Sequence, residues 1–273
     1  MPLRQLKRDA VTRQAAVTIH PLAIVHPDAR LGRGVEIGPF CVIGERARIG
    51  DGTRLLSNVI VNGNTVIGRE NEIHPFAVIG GASQDKKYRG EVSYVRVGDR
   101  NVIREYVTIN RGTGAETETI VGDDNHLLAG VHIAHNCRIG NRVVMSNIAS
   151  LAGHVTVDDG ANIGGMVGVH QFVRIGRMAM IGGKSRVVKD IPPFMLVEGN
   201  PTTVYGLNTV GLKRNNLSPE VLAELKEAYR ILYRSNLNLS TALERLRDKM
   251  RTDEGRELIA FLQEETDRGI LKR

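Results

Sequence analysis

A cluster of histidines sets the chemistry to look for. Five of the eight fall between positions 126 and 170, at His126, His132, His135, His154 and His170. His135, Gly153 and Gln171 follow one another at intervals of eighteen residues, with His154 beside Gly153 and His170 beside Gln171. Imidazole titrates near neutral pH and can take a proton from a hydroxyl or an amine; it is also a common zinc ligand. General-base catalysis and a metal site are both open for this group. So is a plainer role, in which each ring caps a chain corner by hydrogen bonding, as His20, His26 and His74 are placed to do ahead of prolines.

The eighteen-residue interval matters because of what carries it. From residue 16 the chain divides into sixes, beginning AVTIHP, LAIVHP, DARLGR, GVEIGP, FCVIGE. The fourth place is aliphatic from Ile19 to Ile79, and the second is small or β-branched except at Asn71. The frame breaks at about 81–94, resumes at Val97, Ile103 and Ile109, skips RGTGAETE, and runs from Val121 to Val187 in the original register. A period of six fits neither an amphipathic helix nor a simple strand. It fits a three-sided coil of about 18 residues built from three short strands, with the second and fourth places pointing inward. Glycine often follows the aliphatic residue, where the chain turns a corner. The expected fold is mainly β, a left-handed parallel β-helix. Residues one coil apart then stack about 4.8 Å from each other, which gathers His135, His154 and His170 around one column with none at an inward place.

The expected organisation has three parts: a basic extension over 1–15, the β-helix over 16–189 with insertions near 81–94 and 112–118, and a linker with a C-terminal α-helical domain over 190–273. KDIPPFMLVEGNPTTVYG reads as an exit loop from its Pro and Gly content. SPEVLAELKEAYRILYRS offers Ser218 as N-cap and Pro219 at the first helical position, and two further helices follow in STALERLRDKM and DEGRELIAFLQEETDRGI. Such a tail would cap the coil and block edge pairing.

Composition narrows the partners. A formal charge of +7 suits an anionic substrate or partner, while 4% aromatic content without basic-aromatic patches argues against nucleic acid. No stretch reaches the roughly 20 apolar residues of a membrane span. No apolar run follows the basic N-terminus, so the expected location is cytoplasmic. Cys41 and Cys137, both at second places, agree with a reducing compartment.

The blocks GVHIAHNC (130–137), SLAGHVTVDD (150–159), GGMVGVHQF (164–172), QDKKY (84–88), DIPPF (190–194) and GLNTVGLKR (206–214) together closely resemble the acyl-carrier-protein–UDP-N-acetylglucosamine O-acyltransferases of lipid A synthesis. The resemblance runs over residues 16–273. It implies transfer of an (R)-3-hydroxyacyl group from acyl carrier protein to the sugar 3-position, in a homotrimer with sites between prisms, without metal or cofactor. His135 would be the general base and the Gly153 N–H would face the oxyanion. His132, His154, His170 and Gln171 would position the sugar nucleotide and the acyl chain. Asp85 and Lys87 would reach across to a neighbouring subunit's site, and Asn208 and Arg214 would hold the acyl or nucleotide moiety. Gly183 would stand where acyl length is limited. Three positions depart from the family pattern: Asn136 replaces the Asp that usually follows the base, Asn110 a frequent His, and Asn215 the second Arg of a K-R-R run.

The alternatives are a zinc-dependent hydratase resembling γ-class carbonic anhydrases, another sugar-nucleotide N-acyltransferase, and a non-catalytic scaffold or ice-binding coil. The last calls for a flat Thr face, which the irregular, charged outward places do not provide. A basic run at Arg245, Arg247, Lys249 and Arg251 is a candidate docking face for an acidic carrier, or equally a solvated helix surface.

Overall fold

The computed structural model describes residues 16–272, so the extension at 1–15 lies outside the described residues. Strands of two residues, starting with Thr18–Ile19, Ile24–Val25 and Arg30–Leu31, deal successively onto three faces. The first, second and third faces are parallel sheets of eleven, nine and eight strands, the first closing on an antiparallel hairpin. The chain is a left-handed parallel β-helix followed by a helical region.

The hexad accounts for each feature. Fourth-place residues from Ile37 to Val187 are buried ladders of Ile, Val and Leu, while the third-place neighbour of each points outward. Each fully buried side chain of this kind contributes about 1.5–3 kcal/mol. Cys41 and Cys137 belong to the same interior, and burial pushes the Cys137 thiol up to about 12. The tight corner falls on the first place, where Phe40, Asn136, His154 and Phe172 take φ near +60°. Glycine at the fifth place answers a different need: a Cβ on Gly38 would stand 2.1 Å from the Leu56 carbonyl oxygen of the next coil. Inside, Asn71, Asn101 and Asn125 form a buried polar ladder in which each carboxamide oxygen accepts a backbone N–H of the following coil.

Both insertions are whole multiples of the hexad. Ile79 pairs with Ile109, thirty residues on instead of eighteen, and Ile109 with Ile133, twenty-four on. Loops of twelve and then six extra residues therefore leave the inward places inward.

The C-terminal part departs from the exit loop expected over 189–206. Met195–Gly199 extends the first face beside Met180–Ile181, and Thr202–Leu207 pairs back on it. Pro and Gly mark the ends of this hairpin, and buried Phe194, Met195 and Val197 supply the apolar face that makes it a strand. Helices α1 (Thr209–Arg214), α2 (Pro219–Arg234), α3 (Leu239–Lys249) and α4 (Asp253–Gln263) follow; Ser218 caps α2 as expected, α1 is an addition, and α4 stops seven residues before Ile270. Arg174 clamps the helices to the coil through Asp190 and Glu264, and Arg177 does so through Glu257. No helix of the described residues is long and apolar enough to cross a membrane.

Candidate active site

The corner between the second and third faces carries the cluster. His135 follows the second-face strand His132–Ile133, and one coil on come Gly153 and His154, then Gln171 and Phe172. His135 and His154 meet edge to face at 5.2 Å, and His154 stacks on Phe172 at 4.7 Å. His135 is not on the inward ladder but is buried all the same, because the insertion containing Asp85 covers it.

One shared oxygen settles the state of the His135 ring. Asn136 Oδ1 lies 2.8 Å from His135 Nδ1 and also accepts the Thr113 N–H at 2.9 Å. A backbone N–H only donates, so the atom facing both groups is the carboxamide oxygen, and Nδ1 must carry a proton. Nε2 is thereby left as the outward-facing nitrogen of the ring. Asp85 Oδ2 stands 3.6 Å from that nitrogen, within ion-pair distance of a protonated ring. Asp85 and Lys87 were expected to reach toward another subunit; within the chain, Asp85 faces its own histidine. Asn136 occupies the place of the expected Asp, and it orients the ring with a neutral amide.

Gly153 serves this geometry sterically. A Cβ there would lie 2.4 Å from both Cε1 and Nε2 of His135. Its N–H is also unused by the ladder. Gly153 is a sixth-place residue, and proline fills that place at Pro21, Pro27, Pro39 and Pro75 because no inter-coil backbone bond is needed there. An unpartnered N–H thus belongs to the residue against which the His135 ring packs.

The other rings set the surroundings. Burial, and secondly the charge of His135, lower the pKa of His132, which hydrogen-bonds Thr108 at 2.7 Å. The same two causes lower His154, with Asp85 opposing and Lys87 adding to the effect. Both are shifted toward the neutral imidazole. His170 and Gln171 are exposed, and the Gln171 carbonyl accepts from Arg268. A groove runs from His132 and His170 across the second face past Ser150 and Gly168 to Arg186, with an apolar lining. Gly183 sits at the far corner of that face, where a Cβ would meet the Gly165 carbonyl oxygen at 3.3 Å and its nitrogen at 3.8 Å.

Asn208 and Arg214 are not brought to His135 within the chain. The Asn208 amide is already engaged: its Oδ1 accepts from Gly211 and its Nδ2 donates to Met178 at the corner between the third and first faces. It fastens α1 to that corner. Arg214, at the end of α1, is exposed. Sequence reasoning missed Phe172, which stands eighteen residues after His154 and was within reach of the column arithmetic, and Thr113 and Ser83, which no repeat places.

Residues 190–271 match the family described as UDP-N-acetylglucosamine O-acyltransferase, domain 2, and residues 46–81 match six bacterial transferase hexapeptide repeats. Among solved structures, the UDP-N-acetylglucosamine acyltransferase of Bacteroides fragilis 9343 is 41% identical with a TM-score of 0.90, over 93% of this chain and 100% of that one. The Francisella novicida enzyme is 40% identical with a TM-score of 0.90, over 94% of both chains. The Arabidopsis enzyme is 34% identical with a TM-score of 0.84, over 93% of this chain and 100% of that one. With identity of this level along nearly the whole length, the chain belongs to the UDP-N-acetylglucosamine O-acyltransferase family.

Proposed function

We propose that the protein transfers an (R)-3-hydroxyacyl group from acyl carrier protein to the 3-hydroxyl of UDP-N-acetylglucosamine, the opening step of lipid A biosynthesis, as a cytoplasmic homotrimer. The observation that carries this reading is the pairing of an outward-turned His135 Nε2 with the unused N–H of Gly153. Nε2 takes the hydroxyl proton as the oxygen attacks the thioester carbon. The tetrahedral oxyanion is met by the Gly153 N–H, which strengthens its bond only as charge develops. When the C–S bond breaks, the imidazolium returns its proton to the carrier's thiolate. Ester and free thiol result, and the step balances without metal or cofactor.

His132, His154, His170 and Gln171 line the approach for sugar and acyl chain. The groove across the second face suits the acyl chain, with the absence of a side chain at Gly183 favouring a longer one. Asp85 and Lys87 bound the sugar site from the same chain. Arg214, held out by the Asn208-anchored α1, lies on a different edge of the prism and supplies bidentate phosphate contact to a neighbour's site. Trimer formation is supported by the corner between the first and second faces, where exposed Leu22, Phe40, Phe76, Tyr106, Ile148 and Met166 dominate a row that also holds Asn58, Gly130 and Lys184. Arg230, Arg234 and Arg245 beside α2 and α3 offer positive charge to an acidic carrier protein.

The test is direct. Purified protein is incubated with UDP-N-acetylglucosamine and a panel of (R)-3-hydroxyacyl carrier proteins, and the product is read by mass spectrometry. A singly acylated sugar nucleotide is expected, and His135→Ala should cut the rate by at least ~10²–10⁴-fold. Near wild-type transfer by that variant would contradict the mechanism.

A further inference from the structure

The two inserted loops hold each other as well as the repeat. Glu91 accepts the Arg89 N–H at 2.7 Å within its own loop and the Gly114 N–H of the second loop at 2.8 Å. Buried Ser93 donates to the Gly112 carbonyl, and the Glu116 N–H donates to the Val92 carbonyl. At the centre the hydroxyls of Ser83 and Thr113 meet at 2.6 Å. Ser83 Oγ also accepts the Asp85 N–H at 3.2 Å, and Thr113 donates its own N–H to Asn136.

We infer that Thr113 is a positioning residue that sets both nitrogens of His135 at once, its N–H through Asn136 and its hydroxyl through Ser83 and Asp85. This rests on the reading of His135 as the base. On one side, the Thr113 N–H fixes which end of the Asn136 carboxamide faces Nδ1. On the other, the Thr113 hydroxyl fixes Ser83, whose oxygen pins the backbone of the residue whose carboxylate faces Nε2. The imidazole is gripped from two directions by loops that meet at one side chain. Asn136 makes the arrangement necessary, since a neutral amide has two chemically different ends and offers no charge to align the ring. Thr113 acts through these partners rather than on substrate, so its removal should slow the chemical step and leave sugar-nucleotide binding intact.

The experiment compares Thr113→Val, Ser83→Ala and the double variant in steady-state acyl transfer by the full-length protein. Each single substitution removes the same hydroxyl contact. We expect kcat to fall roughly fivefold to tenfold, the weight of one hydrogen bond, with KM for UDP-N-acetylglucosamine within about twofold of wild type. The double variant should be no slower than the slower single, because coupled groups do not add. Thr113→Ser should recover most of the loss. Unchanged kcat in Thr113→Val, a multiplicative double variant, a change confined to KM, or failure of Thr113→Ser to recover would each overturn the inference. Should Thr113→Val not fold by circular dichroism, Ser83→Ala carries the same test, and failure of both to fold overturns the inference in favour of a structural role. His135→Ala, assayed alongside, separates the layers. A dead His135→Ala with a fully active Thr113→Val defeats the brace alone, whereas an active His135→Ala defeats the reading of the base.

Discussion

Two edges of the prism share one backbone and carry opposite chemistry. Along the corner between the first and second faces, first-place residues at φ near +60° include Phe40, Phe76, Tyr106, Ile148 and Met166, with Asn58 and Lys184 as polar members of the same row. Phe76 and Tyr106 stack at 5.0 Å, and the apolar members are exposed. Along the corner between the second and third faces, the same place holds Asn136, His154 and Phe172 at matching φ. There the side chains are gripped by a shared amide oxygen, a ring stack and two inserted loops. The hexad specifies where a side chain leaves the coil and is indifferent to what it does. Function on this fold is written in the outward residues and in whatever loops are laid over them. The apolar edge is built to be covered, and the polar edge to hold one ring still.

The largest effect expected from breaking this contrast is at Gly153. Gly153→Ala places a methyl 2.4 Å from the His135 ring, so the imidazole must move. A displacement of about 1 Å should lower kcat by at least ~10²-fold while circular dichroism stays unchanged. Gly183→Ala, whose methyl meets one carbonyl oxygen at 3.3 Å, should keep its rate and shift preference toward shorter acyl chains in the mass-spectrometric panel. Equal losses in both would mean that Gly153 is one corner glycine among many. Next in size is Ile148→Asp. Aspartate tolerates the left-handed corner, so the change adds charge to the apolar ridge without burdening the backbone. Sedimentation should show trimer giving way to monomer, and activity should fall with it; unchanged sedimentation would place the subunit contact elsewhere.

The smallest effect belongs to the third edge, where the coil meets the helices. Burial beside Glu257 pushes the Asp158 carboxyl up to about 6. Its folded pKa lies above the unfolded value near 3.9, so at pH 7 its charge costs stability, and that cost disappears as pH falls through 6 toward 4. Asp158→Asn should therefore raise Tm at pH 7 by a modest amount that vanishes by about pH 4. His132 and His154 carry the opposite sign, since their lowered pKa values make acid destabilise the fold below the unfolded value near 6.5. A Tm gain for Asp158→Asn that grows on acidification would contradict the assignment.

How much of this was legible in the sequence follows from what the repeat controls. Ile19 to Val187 announce the coil because a six-residue period leaves no other place for their side chains, and insertions in whole hexads preserve the register. The column of His135, Gly153 and Gln171 follows from the same count. The grip on His135 was illegible, because Thr113 and Ser83 lie in loops whose paths depend on hydrogen bonds to each other. The proximity of Asp85 to His135 of its own chain was illegible for the same reason: no period says where a twelve-residue loop folds back. The hairpin over 195–207 was masked by flanking Pro and Gly, which mark its ends. Asn208 showed as a polar residue in a family motif, whereas its use as the cap of α1 required the helix itself.

In the proposed trimer, His135 on one edge works with Arg214 presented from a different edge of another copy. Complementation tests it most directly. His135→Ala and Arg214→Ala are each purified, assayed alone, and then co-assembled in equal amounts before the acyl-transfer assay. Each alone should be severely impaired. If the two residues come from different subunits, random mixing should restore roughly one quarter of the wild-type rate per site, since a site needs an intact histidine from one copy and an intact arginine from the next. Mixed assemblies no more active than their parents would contradict the account.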